Sequence, residues 1–245
     1  MTALLQVENI GKNFGGLQAL SGVSFEIQRG ETVGLIGPNG SGKSTLFNVI
    51  TGRFPPSAGT VTFNGELITG LPAHEVAKRG IARTFQAVRP FMHLTVLQNV
   101  QVASMYGSQV ATKKTDSLDR AHAALEKVNL SHKAKLPTHQ LNVMERKWLE
   151  IARSLATDPQ LLLLDEFMAG LNSTEVSQAV EFIKHLKDLN ITVVVVEHIM
   201  KAIMSCSERI IVLNAGMKIA EGLPDEVVNN QQVISAYLGG TYAAS

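Results

Sequence analysis

A chain of 245 residues is long enough for one large α/β domain, or for one domain with a smaller subdomain. Its net charge of +1 gives no reason to expect nucleic acid or an acidic membrane surface as a partner. The single cysteine, Cys206, excludes an internal disulfide framework. The apolar runs at 161–164 and 193–196 are much shorter than the roughly 20 residues that cross a bilayer, and residues 1–11 lack the pattern of a secretory signal.

The first part of the chain has the pattern of short strands joined by tight turns. Apolar-rich segments predict strands at 4–10, 23–30 and 32–37. A further hairpin is predicted at 59–68, because Asn64-Gly65 suits the positive φ angles of a two-residue turn. Residues 94–157 are predicted to be mainly helical, and Pro159 suits the end of the last helix in this segment.

Strands and helices alternate after residue 160. The apolar runs at 161–165 and 191–198 predict parallel strands buried on both faces, with a helix at 174–189 between them. A hairpin is then predicted to turn at Ala215-Gly216. The sequence therefore predicts an α/β fold with a mixed sheet and a helical insertion.

Residues 37–45, GPNGSGKST, fit a phosphate-loop pattern. Glycines let backbone N–H groups curve around phosphates, Lys43 adds a cation, and Ser44 offers a hydroxyl to Mg²⁺. A strand is predicted before this segment and a helix after it, which disfavours a chance glycine-rich turn. The residues expected to contact the nucleotide phosphates are Asn39, Gly40, Ser41, Gly42, Lys43, Ser44 and Thr45.

Polar residues follow two of the predicted parallel strands, at the edge where α/β sheets bind ligands. Asp165 is suited to hold Mg²⁺, and Glu166 is suited to polarise an attacking water. The acidic pair also fits a helix N-cap, but the phosphate-loop pattern favours the catalytic interpretation. His198 follows the next strand, where it is suited to stabilise a γ-phosphate.

These motifs resemble the ABC transporter ATPase family over nearly the whole chain. Phe14 matches the aromatic residue that stacks on adenine, and Gln86 matches the glutamine that reaches Mg²⁺ and links the site to transmembrane subunits. Residues 169–172, AGLN, match the loop that crosses to a second ATPase subunit, and His198 matches the switch histidine. The resemblance implies a P-loop NTPase fold of the ABC ATPase type, with a mixed core sheet, an N-terminal antiparallel β-subdomain and a helical subdomain.

The resemblance also implies a domain organisation. It places a nucleotide-binding core with its β-subdomain at 1–87 and 158–222, a helical subdomain at 88–157 and a helical tail at 223–245.

Segments 82–100 and 221–240 are similar to the ATPase subunits of branched-chain amino acid importers. This likeness implies ATP and Mg²⁺ as cofactors and an ATPase at the cytoplasmic face of the inner membrane. The implied partners are a second ATPase subunit, transmembrane permease subunits and, indirectly, a periplasmic or extracellular substrate-binding protein. The sequence leaves open the transported molecule and the choice between homodimer and heterodimer.

One segment departs from the family pattern. Where the family has LSGGQ, the chain has Leu141, Asn142, Val143, Met144 and Glu145. The family motif presents small residues and a helix N-terminus to the γ-phosphate on the opposite subunit. Asn142 is expected to cap the helix, whereas Val143 and Met144 add side chains. Glu145 adds negative charge, which Arg146 and Lys147 are expected to offset in part.

Two interpretations of this departure stay open: a weakened ATP site on the partner subunit, or a divergent signature that still works. Phe167, where the family usually has proline, has no explanation from the sequence. A nucleotide-binding subunit with little turnover and a soluble, non-transport ABC ATPase are the alternative functions. A kinase or small GTPase is disfavoured, because the sequence has no guanine-reading motif and because residues 169–172 and His198 match the ABC ATPase family.

Overall fold

The structure is a computed structural model that describes residues 3–85, 89–107 and 114–238. The chain forms two compact units. The first unit draws on Met1–Pro72 and Met168–Ser245, and the second on Ala73–Phe167. In the described ranges, every helix is too short or too polar to cross a bilayer.

The N-terminal part of the first unit contains an antiparallel sheet in the order β2-β1-β4-β5. The elements are β1 Leu5–Phe14, β2 Leu17–Ile27, β3 Thr32–Ile36, α1 Lys43–Ile50, β4 Ala58–Phe63 and β5 Glu66–Leu67. Val7 lies at the centre of this sheet, opposite Phe25 on one side and Val61 on the other. The predicted turn at Asn64-Gly65 is confirmed, since the two residues have φ angles of 52° and 79°.

The second unit is mainly helical and includes a pair of parallel strands. Its elements are α2 Ala73–Lys78, β6 Ile81–Arg83, α3 Val96–Ser104, α4 Lys114–Lys127, α5 Val143–Leu155 and β7 Leu161–Asp165, with 3₁₀ turns at Ser131–Lys133 and Thr138–Gln140. Strands β6 and β7 run parallel, with Ile81 opposite Leu161. The buried face of α5 includes Ile151, Ala152 and Leu155. The described part of 94–157 is therefore mainly helical, as expected.

The rest of the first unit alternates helices and strands. The elements are α6 Ser173–Asp188, β8 Thr192–Val196, α7 Met200–Cys206, β9 Arg209–Asn214, β10 Met217–Gly222, α8 Pro224–Val228 and α9 Gln231–Leu238. Strand β3 runs parallel to both β8 and β9, and β10 pairs with β9 in the antiparallel direction. Every residue of β7 and β8 is buried, as predicted for strands covered on both faces, and so is every residue of β3. The α/β class with a mixed sheet is thus confirmed.

The two C-terminal helices pack against the strand that leads into the phosphate loop. Val227 of α8 and Val233 of α9 share a buried apolar cluster with Ile36, the last residue of β3. This packing fixes the end of β3 from which the 37–42 segment starts, and the sequence alone did not predict it.

Candidate nucleotide site

The phosphate-loop pattern forms the turn between β3 and α1. Gly37, Gly40 and Gly42 have positive φ angles of 151°, 78° and 105°. A Cβ atom on Gly37 would lie 2.0 Å from the carbonyl oxygen of Leu213. A Cβ atom on Gly42 would lie 2.9 Å from the carbonyl oxygen of Ala19. Positions 37 and 42 therefore require glycine both for the backbone angle and for close packing.

Lys43, the first residue of α1, is buried and reaches back over the loop. Its Nζ donates to the carbonyl oxygens of Gly37 at 2.7 Å and Pro38 at 3.0 Å. The Ser41 hydroxyl also lies 3.4 Å from Nζ. Because the N-cap residue Gly42 has no side chain, it leaves the first N–H groups of α1 to other acceptors. A lysine ammonium and a helix N-terminus in one loop form a favourable environment for phosphate.

The other predicted phosphate contacts differ in exposure. Asn39, Gly40 and Ser44 are exposed, Thr45 is half-buried and Ser41 is buried. The Ser44 hydroxyl therefore lies on a face of the loop that a cation can reach. Gln86, which was predicted to reach Mg²⁺, lies outside the described residues.

The C-terminal helix reaches the start of the phosphate loop, which the sequence did not predict. Partial burial raises the pKa of the Tyr237 hydroxyl on α9, and the nearby Gly37 backbone opposes this rise, while 43% of the Tyr237 surface stays exposed. Val233 thus joins α9 to Ile36, and Tyr237 lies close to the Gly37 backbone.

Phe14, the predicted adenine contact, ends β1 with 41% of its surface exposed. Its ring meets that of Phe54 edge to face, with 5.4 Å between the centroids. The Lys12 ammonium lies 5.0 Å from the centre of the Phe14 ring. Such a supported, partly exposed ring is suited to stack on a flat aromatic ligand.

Asp165 in the second unit forms a buried ion pair. The distance from Arg83 Nη2 to Asp165 Oδ2 is 2.6 Å, and each side chain is 7% exposed. The Asp165 N–H group also donates to Thr84 Oγ1, at 3.2 Å. These two partners fix the carboxylate at the end of β7. Sequence reasoning missed Arg83, although its position at the end of the parallel strand β6 was a usable signal.

Glu166 has a φ angle of 50°, which is uncommon for a residue with a side chain. The next residue, Phe167, is buried, and its ring meets that of Trp148 edge to face at 5.0 Å. Lys147 Nζ donates to the Phe167 carbonyl oxygen at 2.9 Å. Phe167 is therefore packed and hydrogen-bonded against α5.

The segment 141–145 leads into α5 through a capping box. Asn142 Oδ1 accepts the Glu145 N–H group at 2.8 Å, and Glu145 Oε2 accepts the Asn142 N–H group at 3.0 Å. The expectation that Asn142 caps this helix is confirmed. Leu141 is buried, Met144 is half-buried, and Val143 exposes 72% of its surface.

The charge of Glu145 is balanced by a residue that the sequence did not single out. Glu145 forms an ion pair with Lys133. Burial opposes ionisation of Glu145, but hydrogen bonds from Lys133 and from the Asn142 N–H group together lower the pKa of its carboxyl. Sequence reasoning did not name Lys133 for this role; it named Arg146 and Lys147. Those two side chains donate instead to the carbonyl oxygens of His139 and Phe167.

The Glu197 carboxylate holds the residues of the first unit that follow Phe167. The Met168 N–H group donates to Glu197, whose side chain is buried just after β8. Asn172, the last residue of the AGLN segment, caps α6 by accepting the Glu175 N–H group at 3.0 Å. His198, the residue after Glu197, is exposed. Glu197 thus fixes the start of the 168–172 segment, a role that sequence reasoning missed.

Residues 20–169 match the sequence model of the ABC transporter family. Residues 217–243 match a second model, described as branched-chain amino acid ATP-binding cassette transporter. The chain is 41% identical to the high-affinity branched-chain amino acid transport ATP-binding protein LivG of Salmonella typhimurium, over 96% of this chain and 98% of LivG.

Two solved structures share the fold. The ADP conformation of MJ1267, an ATP-binding cassette of an ABC transporter, superposes with a TM-score of 0.88 at 32% identity, covering 98% of this chain and 100% of that one. The dimeric post-hydrolysis state of the cassette MJ0796, bound to ADP and Pi, gives a TM-score of 0.80 at 29% identity, with coverage of 90% and 98%.

Proposed function

The chain belongs to the ABC transporter family of ATP-binding subunits, and we propose that it drives import of branched-chain amino acids or related small organic solutes. It is an ABC-type ATPase whose activity is coupled to transport. The observation that carries the substrate class is the likeness to LivG along nearly the whole chain, together with the match of its C-terminal segment to the branched-chain model.

For nucleotide binding, we assign the phosphates to the loop at 39–45. The support is the glycine-dependent turn, the buried Lys43 ammonium and the N-terminus of α1. We assign the adenine to Phe14, since its ring is partly exposed and supported by Phe54. Gln86 stays an expected contact outside the described residues.

The residue types predicted for Mg²⁺ are suited to it, because the ion prefers oxygen ligands and is usually bound by one or two carboxylates together with substrate phosphates. The Ser44 hydroxyl and the Asp165 carboxylate are the proposed ligands, with Gln86 as a third. Within the described residues, His, Cys, Asp and Glu form no group of three suited to hold a metal by themselves. When bound, Mg²⁺ neutralises charge on the phosphate oxygens.

For hydrolysis, we propose that Glu166 accepts a proton from the attacking water and that His198 stabilises the γ-phosphate. Asp165 is fixed by Arg83 and Thr84, so the residue before Glu166 has a defined position. Lys43 balances the negative charge of the transferred phosphoryl group.

The proposed assembly contains a second ATPase subunit and permease subunits at the cytoplasmic face of the inner membrane. MJ0796, a related cassette, is a dimer in its post-hydrolysis state. A periplasmic or extracellular substrate-binding protein is the further partner proposed from the likeness to LivG. This assembly involves no nucleic acid.

The 141–145 segment bears on the choice between a homodimer and a heterodimer. Its helix N-terminus is formed, but the exposed Val143 side chain stands where the family motif has glycine. Light scattering of the Glu166→Gln variant with Mg-ATP tests this point. A dimer that forms only with ATP supports a homodimer, whereas an ATP-bound monomer supports a partner subunit with a different signature.

Uptake of labelled leucine, isoleucine and valine tests the proposed substrate class. Cells that lack this chain should regain uptake with the wild type and not with Lys43→Ala. Lys184→Ala is the matched control, because Lys184 lies on the exposed side of α6, paired with Glu181. Restored growth on other solutes without branched-chain uptake would overturn the proposed substrate class.

A further inference from the structure

We propose that Trp148, Lys147 and Phe167 are positioning residues that hold Glu166 for hydrolysis, an inference that rests on the proposed role of Glu166. The three residues and Glu166 all belong to the second unit. Lys147 and Trp148 lie in the first half of α5, and Phe167 is the residue that follows Glu166.

The conformation of Glu166 makes such support necessary. Its φ angle of 50° lies in the left-handed region, which residues with a Cβ atom rarely adopt. A strained backbone of this kind persists only where neighbouring structure enforces it. We therefore expect contacts that fix the backbone on both sides of Glu166.

On the N-terminal side, Asp165 is fixed by two contacts. Arg83 Nη2 lies 2.6 Å from its carboxylate, and its N–H group donates to Thr84 Oγ1 at 3.2 Å. The Asp165 side chain is only 7% exposed, so the residue before Glu166 is buried within the second unit.

On the C-terminal side, Phe167 is held through both its backbone and its ring. Lys147 Nζ donates to the Phe167 carbonyl oxygen at 2.9 Å, which restricts the peptide after this residue. The ring is 6% exposed and meets the Trp148 ring at 5.0 Å with an angle of 70° between the planes. Edge-to-face contact at this distance is a favourable aromatic geometry.

The two holding side chains are neighbours on α5, which is itself fixed at its start by the Asn142–Glu145 capping box. Glu166 is thus connected through Phe167 to a capped helix. A change in the Phe167–Trp148 contact should move the Glu166 carboxylate and leave the phosphate loop, formed by other residues, unchanged.

The test measures kcat and KM for ATP in the full-length chain. Phe167→Leu and Trp148→Leu should each lower kcat about tenfold with KM unchanged, because a misplaced catalytic group slows the chemical step. The double variant should be no slower than either single variant, since both remove one contact. Trp148→Phe keeps an aromatic edge and should retain kcat to within about twofold.

If Trp148→Leu fails to fold, the tryptophan fluorescence of Phe167→Leu and the kinetics of Lys147→Met still test the inference. Trp148 is the only tryptophan in the sequence, so the emission maximum of Phe167→Leu should move to longer wavelength. Lys147→Met removes the bond to the Phe167 carbonyl and should also lower kcat without raising KM. Tyr106→Leu is the matched control, because Tyr106 exposes 70% of its surface in the same unit.

Unchanged kcat in Phe167→Leu and Lys147→Met, or losses that multiply in the double variant, would overturn the inference. Glu166→Gln, assayed in parallel, separates this failure from failure of the proposed function. If Glu166→Gln loses hydrolysis while the Phe167 and Lys147 variants retain it, only the positioning role is wrong. If Glu166→Gln hydrolyses at the wild-type rate, the proposed role of Glu166 is wrong as well.

Discussion

Arg83 and Asp165 form a buried ion pair at the ends of two parallel strands, with 2.6 Å between Nη2 and Oδ2. Arg83 is opposite Leu163 in the register of β6 and β7, so the strand ends meet at one edge. The guanidinium compensates the charge of the carboxylate that we propose as a Mg²⁺ ligand. Arg83 therefore fixes the Asp165 carboxylate in this buried position.

Removal of this partner should destabilise the fold. Arg83→Ala leaves a buried carboxylate without its guanidinium and should lower the free energy of unfolding by about 3 kcal/mol at pH 7. Urea unfolding measures the change. Arg29→Ala is the control, because Arg29 bonds the Asn64 side chain at an exposed site and its loss should cost less than about 0.5 kcal/mol. Equal losses in the two variants would contradict the buried pair.

Several parts of the fold and site were predictable because they depend on local sequence. The Asn64-Gly65 turn, the apolar runs of β7 and β8 and the glycines of the phosphate loop each have a short-range pattern. The Asn142 cap also follows from its position before a helical segment.

The contacts that hold the site together join residues far apart in the chain, so periodicity does not show them. Arg83 meets Asp165 through strand pairing, and Glu197 meets the Met168 N–H group through the fold of the first unit. The pairing of Trp148 with Phe167 is of the same kind. The sequence assigned no functional role to either Trp148 or Phe167.

Alanine substitutions at Gly37 and at Gly40 of the phosphate loop should have very different effects on ATP binding and stability. Gly37→Ala places a Cβ atom 2.0 Å from a backbone oxygen and should abolish ATP binding or prevent folding. In Gly40→Ala no atom of the described residues lies within 4 Å of the new Cβ, so its cost is limited to the positive φ angle, about 1 kcal/mol. Fluorescent ATP-analogue titration and thermal unfolding compare the two. Similar behaviour of both variants would contradict the close packing of Gly37 against the Leu213 carbonyl.

The Glu145 carboxyl should make stability depend on pH. Its pKa is lowered in the folded chain, so its contribution is present above its ordinary pKa near 4.5 and is lost as the pH falls through the folded pKa. Glu145→Gln keeps an oxygen for the capping bond but loses the ion pair with Lys133, so it should be less stable than the wild type at pH 7 by up to about 1 kcal/mol. This difference should shrink below about pH 4.5.

Urea unfolding from pH 3 to 7 measures the Glu145 effect. Glu126→Gln is the control, because Glu126 is exposed on α4 and its replacement should change stability by less than about 0.5 kcal/mol. A Glu145→Gln difference that stays constant over this pH range would contradict the proposed charge pairing with Lys133.

The Cys206 thiol should react slowly in the folded chain. Burial raises the pKa of Cys206 to about 11, and the residue is 6% exposed. At pH 8 the thiolate population, and with it alkylation by iodoacetamide, should be about 100-fold lower than in the unfolded chain. Rates in buffer and in guanidinium chloride measure the ratio, and equal rates would contradict the buried position.

Phosphate release by purified wild type, Lys43→Ala and Glu166→Gln, with ATP binding measured separately, tests the central claim most directly. The account predicts that Lys43→Ala loses ATP binding, and that Glu166→Gln binds ATP normally but hydrolyses it at least about 100-fold more slowly. Wild-type turnover in Glu166→Gln would contradict the proposed catalytic role, and unchanged ATP binding in Lys43→Ala would contradict the assignment of the phosphates to the 39–45 loop.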